Sequence, residues 1–583
     1  MSASPVLVGS AAIPEAKKSR PSSSRSEVDA AIAELRANAD RWAGSSIEER
    51  LALLREAKQS TAREAAAWVR AACVAKGIDE GTAAEGEEWL AGPICVMRNY
   101  HLLEKTLESI ARTGHVELPK RAFVNTRGRV VCPVMPTDGY DEVLFTGFTA
   151  EVHQRPEVTL ANLSDNTASS YRARPTKGRV ALVLGAGNVS SIGPMDAIYK
   201  LYAEHQVVIL KMNPVNEYLG PNFEKALAPF ISRGLLRIVY GGGAEGEYLC
   251  NHPGIDDIHI TGSDKTHDAI VYGTGAEGAE RKARREPRNT KPISSELGNV
   301  SPLIIVPGRW SKSDLAFQAR NVVSSLTNNG GFNCNATRVI VTYAGWDQRD
   351  EFLAALNAAF LVAPPRRPYY PGANSRQASF VSVHPNATQY GPRGENQLPW
   401  TLITGLDPNQ HDEICFTTES WCGVTSEVAL PAKSEAAFVN EAVKFANDVL
   451  WGTLSAGIIV HPDSIRDPSI GTAVDSAIAD LRFGSVAVNH WPALSYAFVS
   501  PTWGAYPGHP DHDIRSGRGV VHNTYLFDKP EKSVVRGPFR ASPKPAWFFD
   551  HKTNHLIGPR LVDFYLEPSP AKLAPIIGLA LLG

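Results

Sequence analysis

From Val180 to Thr261 short apolar runs alternate with helical stretches, and that order constrains the fold more than any other feature of the chain. Val180–Leu184 is continuously apolar and stops at Gly185-Ala186-Gly187-Asn188. A helical stretch then runs to Tyr202, and Val207–Leu210 follows as a second strand. A further helix, Asn222–Ser232, leads to Leu236–Tyr240 and Gly241-Gly242-Gly243; Asp257–Thr261 ends at Gly262-Ser263. Unbroken apolar runs suit strands covered on both faces, so this region reads as a parallel sheet wound right-handedly with helices.

Beyond residue 300 the order repeats with different content. Pro302–Val306, Arg338–Val341, Gly457–Val460 and Ser485–Val488 read as strands. Asp314–Leu326, Phe352–Phe360, Glu435–Phe445 and Ala473–Leu481 read as helices, so a second α/β domain is expected. Upstream, residues 27–75 carry helical spacing, with Ser45-Ser46 before Glu48-Glu49 as a helix start. Arg129–Val131, Glu142–Phe145 and Glu157–Leu160 read as strands.

Composition sets the outer limits. The 583 residues carry 59 Lys+Arg against 61 Asp+Glu, a net charge of -2 that argues against nucleic-acid binding over the whole surface. No run reaches the roughly 18 apolar residues of a membrane span. Leu573–Leu582 is too short to cross a bilayer and reads as a packing tail over an entrance or subunit seam, or as a segment lying on a membrane surface. The seven cysteines are scattered without CxxC spacing, so no metal site is expected and a reducing cytoplasm fits. Residues 1–26 hold no apolar core of signal-peptide length; they read as a disordered tail, with a transit-peptide-like composition as the lesser alternative.

Ligands of open parallel sheets gather beyond the carboxyl ends of the strands, where the glycine turns lie. Gly241-Gly242-Gly243-Ala244-Glu245-Gly246 matches GxGxxG, but no acidic residue closes a following strand about 20 residues on, which leaves dinucleotide binding and a plain tight turn evenly matched. Cys334, in Asn328-Asn329-Gly330-Gly331-Phe332-Asn333-Cys334, is either a thiol presented to a cleft or a small buried apolar residue. The basic run Arg281-Lys282-Ala283-Arg284-Arg285 reads as a solvated face.

Four blocks in order carry a family resemblance: Lys291-Pro292-Ile293-Ser294-Ser295-Glu296-Leu297-Gly298-Asn299, Gly331-Phe332-Asn333-Cys334 with Arg338, Glu419-Ser420-Trp421-Cys422-Gly423-Val424, and Phe483-Gly484-Ser485-Val486-Ala487-Val488-Asn489. Over roughly residues 27–540 the chain resembles the aldehyde dehydrogenase superfamily. The resemblance implies two Rossmann-like parallel-sheet domains, one cofactor-binding and one catalytic, with a small β oligomerisation segment. It divides the chain into a tail (1–26), a cofactor domain (27–300) whose strands near 140–160 join in oligomerisation, a catalytic domain (301–515), an oligomerisation segment (516–540) and an extension (541–583). It also implies Cys334 as nucleophile, Asn188 as oxyanion donor and Glu296 as the base that hydrolyses a thioester. NAD or NADP would be held by Lys211, Gly242, Gly262, Ser263, Glu419 and Trp421. The working form would be a homodimer or homotetramer.

Departures bear on these expectations. Pro214 stands where many relatives have the Glu that binds the adenosine ribose, which admits NADP, and Lys211, Lys265 and His267 are candidates for charge there. His267 also replaces a glycine of the pyrophosphate helix. His490–Phe498 would border the substrate entrance, and its aromatics point to an apolar or aromatic aldehyde. The expected activity is oxidation of that aldehyde to the acid. The alternatives are a CoA-acylating aldehyde dehydrogenase or acyl-CoA reductase, and a non-catalytic relative.

Overall fold

The apolar runs form neighbouring strands, as their two-sided burial requires. The structure is a computed structural model that describes residues 8–583 other than 174 and 395. Val180–Leu184 lies between Val207–Lys211 and Asp257–Thr261, all parallel, with Leu236–Val239 at one edge. On the other side Ile293–Glu296 adds in parallel and Gly517–Arg518 closes the six-stranded sheet antiparallel. The chain leaves Val180–Leu184 in one direction and later returns to its opposite side, so the strand order reverses at its carboxyl end. Such a switch point opens a crevice.

The second sheet has eleven strands. Its parallel centre runs Trp400–Leu406, Val424–Leu430, Thr337–Tyr343, Ser301–Ile305, Ser455–Ile459, Ser485–Val488 and Pro530–Arg536. Thr149–Gln154, Val130–Met135 and Phe123–Val124 continue it antiparallel, and Thr388–Tyr390 adds antiparallel at the other edge. The molecule is therefore α/β with two Rossmann-like domains. Leu182, Ile209 and Ile258 are fully buried under the first sheet's helices, and Ile304, Val339 and Ile458 under the second's. Ser46 caps the helix Ile47–Lys76 with a reciprocal Glu49 bond, the start its sequence signals.

Several expectations need correction. Glu142–Phe145 is not a strand: Gly139–Leu144 is helical, because the Asp138 carboxylate accepts the Tyr140 and Asp141 N–H groups. Glu157–Leu160 lies in a turn, where Asn162 accepts the Thr159 N–H at 2.7 Å; the strand is Thr149–Gln154. Asn222–Ser232 is two short helices, Gly220–Ala226 and Ala228–Ser232, with Pro229 unable to donate at the break. The 516–540 segment is not one unit. Gly517–Arg518 completes the first sheet, whereas Pro530–Arg536 and Thr149–Gln154 complete the chain's own second sheet.

Residues 1–7 of the expected tail lie outside the described residues, and the rest of that tail is not disordered. Gly9–Ser10 pairs in parallel with Thr418–Glu419, the Ser10 N–H donates to Asp264 at 2.9 Å, and the Ser19 and Arg20 N–H groups donate to the buried Glu217. Carboxylates distant in sequence satisfy this backbone, which composition does not reveal. Residues 541–583 end in two helices, Asn554–Leu566 and Pro570–Leu581. Among the described residues no helix is long and apolar enough to cross a membrane.

Candidate active site

Cys334 follows the helix Lys312–Thr327 in a turn that only particular residues can make. Asn329, Gly330 and Gly331 have φ of 52°, 69° and 82°, and a Cβ on Gly331 would lie 2.9 Å from the Cys422 carbonyl carbon. Arg338 ties the turn down, donating to the Gly331 carbonyl at 2.8 Å and to the Cys422 carbonyl. The thiol is left half-buried and donates to Glu296 Oε1 at 3.1 Å. Glu296 ends the strand Ile293–Glu296, so the sheet's carboxyl edge delivers it to the thiol.

Burial sets the acid–base character of this pair. It pushes Glu296 up to about 7, with the Cys334 bond working against the shift. Burial and the neighbouring Glu296 push the Cys334 thiol well above its ordinary range. The thiol is thus held protonated beside a carboxyl poised near neutrality.

Asn188, at the end of the central strand's turn, donates its side-chain N–H to the Phe332 carbonyl at 2.9 Å. Its own carbonyl accepts from Lys76 at 3.2 Å, Asn329 at 3.1 Å and Tyr369 at 3.1 Å. Lys76 is itself buried against Glu88 at 2.8 Å. Sequence reasoning missed this support. The available signal was Lys76 and Glu88 near an otherwise apolar helical region, and nothing in their spacing pointed to Asn188.

Two cavities meet here. A cleft of about 700 Å³ lies at the carboxyl ends of the first sheet, and an apolar chamber of about 410 Å³ lies on the other side. Asn188, Ile192, Glu296 and Cys334 line both. Trp491, Leu494 and Phe498, from the segment expected at a substrate entrance, line the chamber; His490 does not.

The cleft gathers every residue singled out for a cofactor: Lys211, Gly242, Gly262, Ser263, Glu419 and Trp421. Lys211 is buried, and its amine has one hydrogen bond, to the Met212 carbonyl at 3.3 Å; burial pulls it down to about 8. Ser263 caps the helix Asp264–Tyr272, and the space over Gly262 is open to 3.4 Å. Glu419, pushed up to about 8 by burial, accepts the Asn299 N–H at 3.1 Å, and a Cβ on Gly298 would strike its Oε2. Trp421 has φ of 44° and lies edge-on to Tyr370. A buried amine, the N-terminus of the helix Asp264–Tyr272 and glycine floors fit a dinucleotide's phosphates and riboses.

His267 does not serve here. It is fully buried, lies outside the cleft lining, and burial pulls it down to about 4; Lys211, Lys265 and Pro214 do line the cleft. Residues 10–16 also line it, and Glu15 lies where a Gly242 side chain would be. The basic run 281–285 is solvated, with Arg281 on Glu277, Lys282 on Asp268 and Arg284 on Glu286. One cluster that spacing did not flag, His384, Glu413 and Cys415, brings its polar atoms within 4.8 Å. There Glu413 accepts the Cys415 N–H and pairs with His384, which accounts for the cluster without an ion.

Comparison with known proteins places this geometry. The model of the aldehyde dehydrogenase family matches residues 144–371. Human 4-trimethylaminobutyraldehyde dehydrogenase is 34% identical over 283 residues, covering 44% of this chain and 50% of that protein. The chain thus spans about half the length of the curated relatives it matches. Among solved structures, a mutant of aldehyde dehydrogenase C from Pseudomonas syringae in complex with NAD+ and octanal superposes with TM-score 0.58 at 17% identity, over 93% of this chain and 95% of that one. The glyceraldehyde-3-phosphate dehydrogenase GapN of Methanocaldococcus jannaschii, complexed with NADP, gives TM-score 0.59 at 14% identity, over 91% and 99%. Over these residues the chain is similar to the aldehyde dehydrogenases, and the solved structures share its fold.

Proposed function

We propose that the chain oxidises an apolar aldehyde to the carboxylic acid with NAD or NADP. The observation that carries this is the position of Cys334 and Glu296, 3.1 Å apart at the junction of a dinucleotide-sized cleft and an apolar chamber. The aldehyde's tail lies in the chamber and its carbonyl meets the sulfur. As the S–C bond forms, the thiol proton passes to Glu296. The oxyanion takes hydrogen bonds from the Cys334 N–H and from the Asn188 amide, which keeps a second N–H beyond the one given to Phe332. NAD or NADP, when bound in the cleft, supplies the hydride acceptor. The aldehyde hydrogen leaves with its electron pair, and the carbonyl re-forms as a Cys334 thioester. Glu296 loses that first proton to solvent and, ionised again, takes a proton from water as the hydroxyl adds to the thioester carbonyl; it then returns this proton to the sulfur, which departs as the acid is released.

Lys211 and Ser263 would hold ribose and pyrophosphate, Glu419 the nicotinamide ribose, and Trp421 the ring's outer face. The absence of a carboxylate at Pro214 supports use of both nucleotides. Seven free thiols suit a cytosolic enzyme, and a homodimer or homotetramer is its proposed working form.

The test is product analysis with hexanal and each nucleotide, with and without CoA. Hexanoic acid formed without CoA supports the reading; hexanoyl-CoA formed only when CoA is present gives the acylating alternative. Asn188→Ala is expected to lower kcat by about 10²–10³, the worth of one oxyanion donor. A loss below about threefold would leave Asn188 as a structural residue only.

A further inference from the structure

The chamber beyond Cys334 is walled in part by the chain's last helix. Ile576, Ile577, Ala580 and Leu581 of Pro570–Leu581 line it together with Trp491 and Phe498. The helix is fixed there: Thr553 Oγ1 donates to the Leu579 carbonyl at 2.7 Å, Ile576 is buried, and the whole packs on Asn554–Leu566. That neighbour is anchored in turn, because Tyr565 accepts from the buried Arg98 at 3.0 Å.

The charges bordering the chamber are all engaged within the protein. Arg98 holds Asp141 through two bonds of 2.8 Å and the Phe498 carbonyl at 2.7 Å. Glu87 is paired with Arg366 at 2.8 Å, and Lys544 with Asp550 at 3.4 Å. A charged substrate tail would lose its water and find these counter-charges already taken, whereas an alkyl tail gains from leaving water. A chamber of about 410 Å³ is also far larger than a two-carbon aldehyde needs.

We propose that the helix Pro570–Leu581 is the specificity-determining wall of the substrate chamber, and that it selects long alkyl aldehydes whose tails lie against Ile576, Ile577 and Ala580. This rests on the aldehyde-oxidising reading above. The sequence suggested an apolar or aromatic substrate and offered Leu573–Leu582 as a tail over an entrance or a subunit seam, without tying it to chain length.

The experiment compares acetaldehyde, hexanal and decanal in the parent and in Ala580→Phe, a half-buried site on the last helix where a larger ring intrudes into the chamber. In the parent, kcat/KM should rise about fourfold for each added methylene until the chamber is filled. Ala580→Phe should cut the decanal-to-acetaldehyde ratio of kcat/KM by at least about tenfold, mainly through KM. Calorimetric titration with decanol, which has no carbonyl, reads the chamber without turnover; it should bind the parent and bind Ala580→Phe at least about tenfold more weakly. Equal kcat/KM for all three aldehydes with no decanol binding overturns the inference and leaves aldehyde oxidation standing. An unchanged ratio and unchanged decanol affinity in Ala580→Phe also overturn it. Decanol binding that the variant weakens, with no aldehyde oxidised, upholds the chamber and its wall and refutes the reading of the activity.

Discussion

Cys334→Ala is expected to lower steady-state aldehyde oxidation by on the order of 10⁴-fold or more, the scale of loss when a covalent nucleophile is removed. On the proposed route this sulfur, at the junction of the two cavities, forms the bond that turns an aldehyde into a hydride donor. The other six cysteines are buried and stand outside the junction of the two cavities, apart from Cys250 in the cleft and Cys95 in the chamber. The side chain is half-buried, and the turn that presents it is built by Asn329, Gly330, Gly331 and Arg338. Truncation at Cβ should therefore leave the fold and the cleft intact. Nucleotide affinity, measured by fluorescence titration, should stay within about threefold, since the thiol is not among the groups that would grip phosphate or ribose. A variant that keeps more than a tenth of parental turnover would show that another group attacks the carbonyl.

Glu296→Gln should slow the second half of the reaction far more than the first, because in the first the thiol proton can pass to water in the cleft instead. The amide keeps the size of the carboxylate but cannot take a proton from water, so deacylation should slow by about 10²–10⁴. Rapid mixing should then show one equivalent of reduced nucleotide per site formed in a burst, followed by a stall. Acidity gives a second signature. Because burial lifts Glu296 to about 7, the group is protonated and idle as a base below that pH and ionised above it. Parental turnover should rise about tenfold per pH unit on the acid side and level off above about 7. The variant should lose that limb. Unchanged steady turnover, or an unchanged acid limb, would assign the base to another residue.

Much of the catalytic framework was legible because it lies where chain order is local. The strand Val180–Leu184 announces itself by five consecutive apolar residues, and the turn after it delivers Asn188; Val207–Lys211 and Asp257–Thr261 deliver Lys211 and Ser263 by the same logic. Cys334 and Glu296 were separately nominated by their blocks, but only the resemblance joined them. The two stand 38 positions apart, and no local pattern states that they meet.

What the sequence hid depends on distant partners. The helix Gly139–Leu144 carries β-like side chains, yet Asp138 caps it and Arg98, some forty residues upstream, fixes Asp141. Residues 8–24 are polar enough to read as a tail, yet Asp264, Glu217 and the edge of Thr418–Glu419 satisfy their backbone. The apolar end Leu573–Leu582 left an entrance, a subunit seam and a membrane surface open, because its place at the chamber is visible only once Trp491 and Tyr565 are in position. The support of Asn188 by Lys76 was invisible for the same reason, since a lysine on a helix is ordinarily a surface residue.

The most direct measurement is peptide mass spectrometry of Glu296→Gln after brief incubation with hexanal and nucleotide. With deacylation blocked, the peptide bearing Cys334 should gain the mass of one hexanoyl group, in an amount equal to the burst of reduced nucleotide. Reduced nucleotide formed with no acyl group on Cys334, or with the acyl group on another residue, would contradict the covalent route through that sulfur.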